Sequence, residues 1–175
     1  MTNRHTVAAL IVLVIGLVAP SSARAQVIPS PPWGEPIQDP SRFVVLASYN
    51  NQAVYDNETG LVWEQSPEPT QRRDWFQALA FCAQRTVGNR KGWRLPSVQE
   101  LASLVDPTVP SPGPTLPADH PFGSNVQSDY YWSASTQANS ATGAWLVFFY
   151  GGNVGTASVS FTSLVWCVRG GPGPR

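Results

Sequence analysis

The chain has 175 residues, of which 11 are acidic, 11 are Lys or Arg, and 42% are hydrophobic. The length suits one ordinary domain with a real core. A formal charge of zero argues against a nucleic-acid-binding protein, because such a protein needs a clustered positive field. The seven tryptophans do not separate a core from a binding site, because Trp serves in both.

The first 25 residues have the three parts of a secretory signal peptide. Arg4 is basic, Val7–Val18 is an apolar run, and Ala23-Arg24-Ala25 is a small-x-small cleavage sequence, so we expect cleavage before Gln26. The run is shorter than the about 20 residues of a membrane-spanning helix. We therefore expect a secreted, periplasmic or cell-surface protein with no membrane contact after cleavage, and an uncleaved anchor helix is the alternative.

The mature chain is predicted to have an arm, one domain and a short tail. Residues 26–41 are rich in proline and predict an extended arm, and residues 172–175 predict a flexible tail. The domain then spans residues 42–171. Its first strands are predicted by short apolar runs, of which the second and third flank the turn sequence Asn-Glu-Thr-Gly and form a hairpin. These runs are Phe43–Ala47, Ala53–Asp56 and Leu61–Glu64.

The first helix is predicted by a capping box. Asp74 is the N-cap, Gln77 follows three residues later, and the apolar periodicity ends near Arg85. The apolar face of this helix carries Cys82 into the core. Cys167 is the other cysteine, and one disulfide is the simplest interpretation in an exported chain. A reactive thiol is the alternative.

The run GWRLPSVQEL predicts the start of a second helix. Ser97 and Glu100 form the fuller capping box, and the helix is expected to stop at Asp106 before a proline. Trp93 points into the core, whereas Arg94 points the other way and either pairs with a carboxylate or binds a ligand. We interpret the stretch as scaffold, with structural roles for Trp93, Arg94, Pro96, Ser97 and Glu100.

The rest of the chain predicts a loop followed by strands. Pro107–Pro121 is so rich in proline that we expect a long loop outside the core, with His120 as a solvated loop residue. Two helices early and several antiparallel strands late predict an α+β fold. The predicted late strands are Tyr130–Ser133, Ala144–Tyr150, Val154–Ser158 and Leu164–Arg169.

No catalytic constellation is evident in the sequence. His120 is the one histidine after the predicted cleavage site, so neither a histidine-based zinc site nor a Ser-His-Asp triad can be assembled. Five carboxylates, of which capping explains two, lie near the ends of predicted elements: Glu64, Asp74, Glu100, Asp106 and Asp129. We therefore expect no enzyme activity, no cofactor and no metal.

Six segments carry a resemblance to a known family: DNETGLVWEQ (56–65), ALAFCAQ (78–84), GWRLPSVQELASLVD (92–106), YYWSAS (130–135), AWLVFFYGGNV (144–154) and VWCVRGG (165–171). In this order they resemble the blocks of the DUF1566 family, which is also named for the C-terminal domain of the Legionella collagen-like adhesin. The resemblance implies a C-type-lectin-like domain with two helices and a small antiparallel, twisted sheet. It also implies a disulfide between the helix of Cys82 and the strand of Cys167, in exported or surface proteins of bacteria. The founding adhesin is linked to glycosaminoglycan binding, but this chain has no collagen-like repeat.

The leading hypothesis is a secreted or surface-exposed bacterial binding module that recognises a glycan or a surface protein. Tyr and Asn near turns suit adaptable recognition, and a formylglycine-generating-enzyme-like oxidase or a structural assembly domain without a small ligand are the alternatives. The candidate ligand-binding residues are Asp129, Tyr130, Trp132, Tyr150 and Asn153.

Overall fold

The computed structural model describes residues 41–171. The predicted signal peptide, almost all of the predicted arm and the predicted tail lie outside the described residues. Within residues 41–171, no helix is long and apolar enough to cross a membrane. The elements in chain order are β1 Phe43–Val45, β2 Ala53–Asp56, β3 Leu61–Glu64, α1 Trp75–Gln84, β4 Trp93–Arg94, α2 Val98–Ala102, β5 Tyr130–Thr136, β6 Gly143–Phe148, β7 Asn153–Ser158 and β8 Val168–Arg169.

The strands form two antiparallel sheets, and with the two helices they confirm the α+β class. The first sheet has the order β1-β2-β3-β8-β4, so the last strand lies between two earlier ones. The second sheet has the order β5-β6-β7. The predicted hairpin of β2 and β3 is confirmed, with Asp56 paired to Leu61 across the turn.

Asp56 holds this turn and ties it to the start of the domain. Its carboxylate accepts hydrogen bonds from the Glu58 amide at 3.0 Å and the Thr59 hydroxyl at 2.8 Å. Arg42 donates two more, from Nε at 2.9 Å and Nη2 at 2.8 Å, and both side chains are buried. Such a bidentate ion pair costs desolvation, but its hydrogen bonds satisfy both buried groups.

Helix α1 forms where the capping box predicts it. The Asp74 carboxylate accepts from the Gln77 amide, and the Gln77 side chain accepts from the Asp74 amide. Cys82 lies on the buried face of the helix and is bonded to Cys167, with the two Cα atoms 5.5 Å apart. The predicted disulfide is confirmed, and it joins α1 to the segment that leads into β8.

The structural interpretation of the run GWRLPSVQEL is also supported by the contacts. Trp93 is buried in the core, while Arg94 points away from it and donates to both oxygens of Glu100, at 2.8 and 2.7 Å. Glu100 also accepts from the Ser97 amide, so one carboxylate closes the capping box and holds the arginine. Pro96 is buried, and its carbonyl accepts from the amide of Ala134.

Four predicted elements extended too far and one was too short. β6 ends at Phe148 instead of Tyr150, and β5 continues to Thr136, three residues beyond the prediction. β1 ends at Val45, two residues early. α2 ends at Ala102, since the amides of Leu104 and Val105 then donate to carbonyls three residues back instead of four. The predicted last strand over residues 164–169 is a strand only at 168–169. The Leu164 amide and carbonyl bond to β5, whereas the Cys167 carbonyl accepts from β3. The segment therefore crosses from one sheet to the other and cannot be one continuous strand.

The predicted exclusion of the proline-rich loop from the core was wrong. Thr115 and Leu116 are buried, and the Thr115 amide donates to the carbonyl of Phe149 at 2.8 Å. Proline has no backbone N–H, so burying a proline-rich segment leaves fewer donors to satisfy. His120 is half-buried against Phe122 rather than solvated, and burial lowers its pKa.

The main core lies between the two sheets and is centred on Trp166. Its indole ring contacts those of Trp63, Phe122, Tyr131 and Phe149, with centroids 4.9 to 5.9 Å apart. The Trp166 indole N–H donates to the Glu64 carbonyl, so the polar end of the ring is satisfied. A second core cluster lies under α1 and contains the disulfide.

Candidate ligand-binding surface

Three aromatic rings form a stack on the second sheet. Tyr130 on β5 lies directly opposite Phe148 on β6, and their rings are 4.1 Å apart and tilted by 15°. Tyr150, in the turn after β6, stacks on Phe148 at 5.4 Å and 11°. Directly opposed residues on one face of a sheet have close Cβ atoms, which explains the first contact.

A groove lies beside this stack and has a volume of about 690 Å³. We call it the aromatic groove. Phe161, from the loop after β7, stands perpendicular to Tyr130 with the centroids 6.3 Å apart, and it is 43% exposed. The lining residues are all uncharged: Tyr130, Leu146, Phe148, Asn153, Val154, Gly155, Thr156, Ala157 and Phe161.

The structure brings three of the five predicted site residues together. Tyr130 and Asn153 line the groove, and Tyr150 lies beside it and is 44% exposed. Asn153 is opposite Phe148 on β7, so its exposed amide lies next to the aromatic stack. An amide carries both donors and acceptors, and such a group fixes the orientation of a ligand in an otherwise apolar groove.

The other two predicted residues have different surroundings. Asp129 is half-buried, pairs with Arg72 and accepts from the Tyr130 amide at 2.7 Å, so it holds the start of β5. Trp132 differs from the prediction because its side chain is completely buried. Its indole N–H donates to the carbonyl of Arg73 at 3.0 Å, and its ring supports Phe161 from the core side rather than meeting a ligand.

Sequence reasoning missed Phe148 and Phe161, which complete the aromatic surface. The position of Phe148 could have been found from the alternation in β6, where Leu146 and Phe148 point to the same face as their partners on β5. Phe161 comes from a loop, and only the folded chain shows that it reaches Tyr130. A second missed signal is charge, because residues 130–168 contain no Asp, Glu, Lys, Arg or His.

This absence of charge sets the electrostatics of the whole second sheet. All three of its strands lie within the uncharged run, and so does the loop that carries Phe161. The Arg72–Asp129 ion pair borders the start of the run, and its two charges compensate each other. The aromatic groove therefore offers stacking faces and hydrogen-bonding groups but no fixed charge that would attract an ionic ligand.

The described residues hold no group of three or more His, Cys, Asp or Glu side chains placed to bind a metal ion. The two cysteines, which the oxidase alternative would need as free thiols, are bonded to each other. Glu64 and Asp106 are buried carboxylates, and Asp106 accepts from the amide and hydroxyl of Thr108. These two contacts of Asp106 stabilise the turn that follows α2.

A comparison with known protein families identifies the family of this chain. The chain is an α+β domain of two helices and two small antiparallel sheets. The family model of the Lcl C-terminal domain matches residues 52–169, which run from just before β2 to the end of β8. The chain belongs to the Lcl C-terminal domain family. No curated protein matches the sequence.

Proposed function

We propose that the protein is an exported binding module whose aromatic groove recognises an uncharged glycan. The observation that carries the proposal is the stack of Tyr130, Phe148 and Tyr150 on a sheet without fixed charge. Membership of the Lcl C-terminal domain family supports a surface-associated, adhesin-like role. The predicted signal peptide and the disulfide fit an oxidising compartment outside the cytoplasm.

The chemistry of the groove suits the apolar face of a sugar ring. Phe148 lies between the other two rings, so the ring faces left to a ligand are the outer ones, and Tyr150, which is 44% exposed, offers one of them. Such a face is electron-rich and attracts the polarised C–H groups that line one side of a pyranose. The hydroxyl groups of Tyr130 and Tyr150 and the amide of Asn153 lie around the stack and can pair with sugar hydroxyls. A sulfated or phosphorylated glycan would find no cation in this groove.

A protein ligand is the second candidate, and the position of β7 favours it. Within the described residues β7 pairs only with β6, so its outer backbone edge is free to accept another strand. Residues 153–158 contain no proline and no charged side chain, and these are the features that block such pairing. The glycan remains our proposal because edge pairing would not use the stacked rings.

The test is binding of the exported protein to an array of neutral and acidic glycans, followed by the variant Tyr150→Ala. Tyr150 is exposed, so its loss should weaken glycan binding by about tenfold, or ~1.4 kcal/mol, without unfolding the domain. Phe76→Ala is the matched control, because Phe76 is 63% exposed on α1 and outside the groove.

Binding of neutral glycans that depends on Tyr150 but not on Phe76 would support the proposal. Binding confined to acidic glycans, or equal losses in both variants, would contradict it. Retention of a protein from the cell surface with a silent array would favour the second candidate. In that case a proline placed in β7 should abolish the capture, because proline cannot donate to a strand ladder.

A further inference from the structure

A second cavity, of about 330 Å³, lies where the end of β3 meets the segment after α1. We call it the arginine pocket. None of its residues lines the aromatic groove, so it is a separate feature of the surface. The lining residues are Gln52, Glu64, Gln65, Ser66, Arg85, Thr86 and Val87.

Arg85 is fixed in position on two sides. Its Nε donates to Glu64 Oε1 at 2.6 Å, and its guanidinium lies 4.8 Å from the centre of the Phe81 ring. Glu64 is 1% exposed, and its other oxygen accepts from the Cys167 amide at 3.1 Å. Both carboxylate oxygens are therefore occupied, and the buried acid holds the arginine rather than facing a ligand.

The outer end of the guanidinium remains available. Within the described residues, Nη1 and Nη2 of Arg85 have no hydrogen-bond partner, and the side chain is 32% exposed. Because Nε and the ring face are anchored, these two nitrogens form a preorganised fork. A planar fork of this kind matches the two oxygens of a carboxylate.

Polar groups around the fork are oriented as well. The Gln52 side-chain oxygen accepts from the Gly88 amide at 2.8 Å, which leaves its NH2 group as a donor. The Gln65 NH2 group donates to the Pro121 carbonyl at 2.9 Å, which leaves its oxygen as an acceptor. With the hydroxyl groups of Ser66 and Thr86, the pocket can meet both the donors and the acceptors of ligand hydroxyls.

The charges around the pocket largely cancel one another. Burial raises the pKa of Glu64, and the nearby charges of Arg85 and Arg73 offset that rise only in part. Against these two cations stand Glu64 itself and Glu68, which is exposed and near both arginines. The field is therefore too weak to favour a doubly charged sulfate or phosphate, so recognition depends on the shape of the fork.

We propose that the arginine pocket binds a small hydroxylated monocarboxylate, with its carboxylate on the Nη fork of Arg85. The ligand hydroxyls pair with Gln52, Gln65 and Thr86. The volume lies near the lower end of small-molecule sites, which are about 300 to 1,000 Å³. This site is independent of the aromatic groove, and its occupation does not depend on glycan binding there.

The test is a two-dimensional NMR titration of the full-length exported protein with sodium gluconate. Sorbitol, which has the same number of carbons and no charge, and sodium sulfate at matched ionic strength are the control ligands. We expect saturable shifts with gluconate at the amides of Gln52, Thr86 and Val87, and no saturable shifts with either control ligand.

Variants then test the fork itself. Arg85→Lys keeps the charge but removes the planar donors, so gluconate binding should weaken at least tenfold. Arg72→Lys is the matched control, because Arg72 is also paired with a carboxylate but lies outside the pocket, and binding should be unchanged. Thr86→Val tests a hydroxyl contact without touching the ion pair, and a several-fold loss is expected.

Four results would overturn the proposal. They are the absence of saturable shifts with gluconate at its highest soluble concentration, equal shifts with sorbitol, equal or tighter binding of sulfate, and wild-type affinity in Arg85→Lys. A melting experiment on each variant separates lost binding from lost folding. If Arg85→Lys does not fold, wild-type affinity in Thr86→Val overturns the proposal in its place.

Discussion

The disulfide between Cys82 and Cys167 makes the sharpest prediction about stability. The double variant Cys82→Ala, Cys167→Ala removes a bond that joins α1 to the segment between the two sheets. Both side chains are completely buried, so no solvent-facing role is lost with them. The change should therefore act on the free energy of unfolding and leave the aromatic groove intact.

The magnitude follows from the separation of the two cysteines. The bond closes a loop with a sequence separation of 85 residues, and the loop-entropy relation then gives about 4.6 kcal/mol at 25 °C. Measured losses for native disulfides are about 2 to 5 kcal/mol. Small domains have about 5 to 15 kcal/mol of stability in total. We expect the double variant to fold, with roughly a third or more of the stability lost.

Guanidinium unfolding followed by tryptophan fluorescence measures this difference, because Trp63 and Trp166 change from buried to exposed. The wild-type protein unfolded with a reducing agent present is the control, since it loses the same cross-link without any substitution. Its unfolding free energy should agree with that of the double variant to within about 1 kcal/mol. This margin is the expected cost of the cavity that the two missing sulfur atoms leave in the variant.

A loss below about 1 kcal/mol would refute the reasoning, because the cross-link would then constrain the unfolded chain far less than its length requires. Two free thiols in the mass of the native, non-reduced protein would refute the disulfide itself. If the double variant were as stable as the wild-type protein but bound no ligand, the placement of the cysteines in the scaffold would be wrong.

Three further predictions concern single residues. Ser97→Ala should lower stability by about 1 kcal/mol in thermal unfolding, and a larger effect on binding than on melting would contradict its role as a cap. Asp56→Asn should make the free energy of unfolding less dependent on pH in the acid range. Burial raises the pKa of Asp56, but the hydrogen bonds and the charge of Arg42 lower it by more, so the net pKa lies below its usual value and the wild-type protein loses stability as the pH falls below about 4. The variant should lose less over that range, and denaturation at several pH values measures the difference. Gly88→Ala should cost more than about 1 kcal/mol, because φ is 55° and the new Cβ would press on the backbone of Tyr49; equal denaturation midpoints would disprove this.

The elements that could be predicted are those that local chemistry determines. Asp74 and Ser97 cap their helices through contacts three residues away, so the sequence alone contains both partners. The turn after Asp56 is local in the same sense. The disulfide was also predictable, because an exported chain with two cysteines has one pairing available.

The elements that were missed depend on tertiary contacts. Leu116 is buried because a proline-rich loop packs against the main core, and composition alone placed it outside. The aromatic groove needs Phe161 to return from a loop to Tyr130. Trp132 was predicted at the ligand surface, although its fully buried side chain supports the groove from the core side. It lies two residues after Tyr130 and so on the same face of β5, and the contact with Phe161 from the later loop is not visible in the local sequence.

The position of β8 has a consequence for the timing of folding. It lies between β3 and β4, yet it is made after both, and the two strands hydrogen-bond to it rather than to each other. A chain that emerges amino terminus first, from a ribosome or through a translocation channel, cannot complete this sheet until residue 169 is free. The Glu64 carboxylate likewise cannot accept its hydrogen bond from the Cys167 amide until residue 167 has emerged. The five-stranded sheet thus stays incomplete, with β3 and β4 not yet joined, until β8 has emerged.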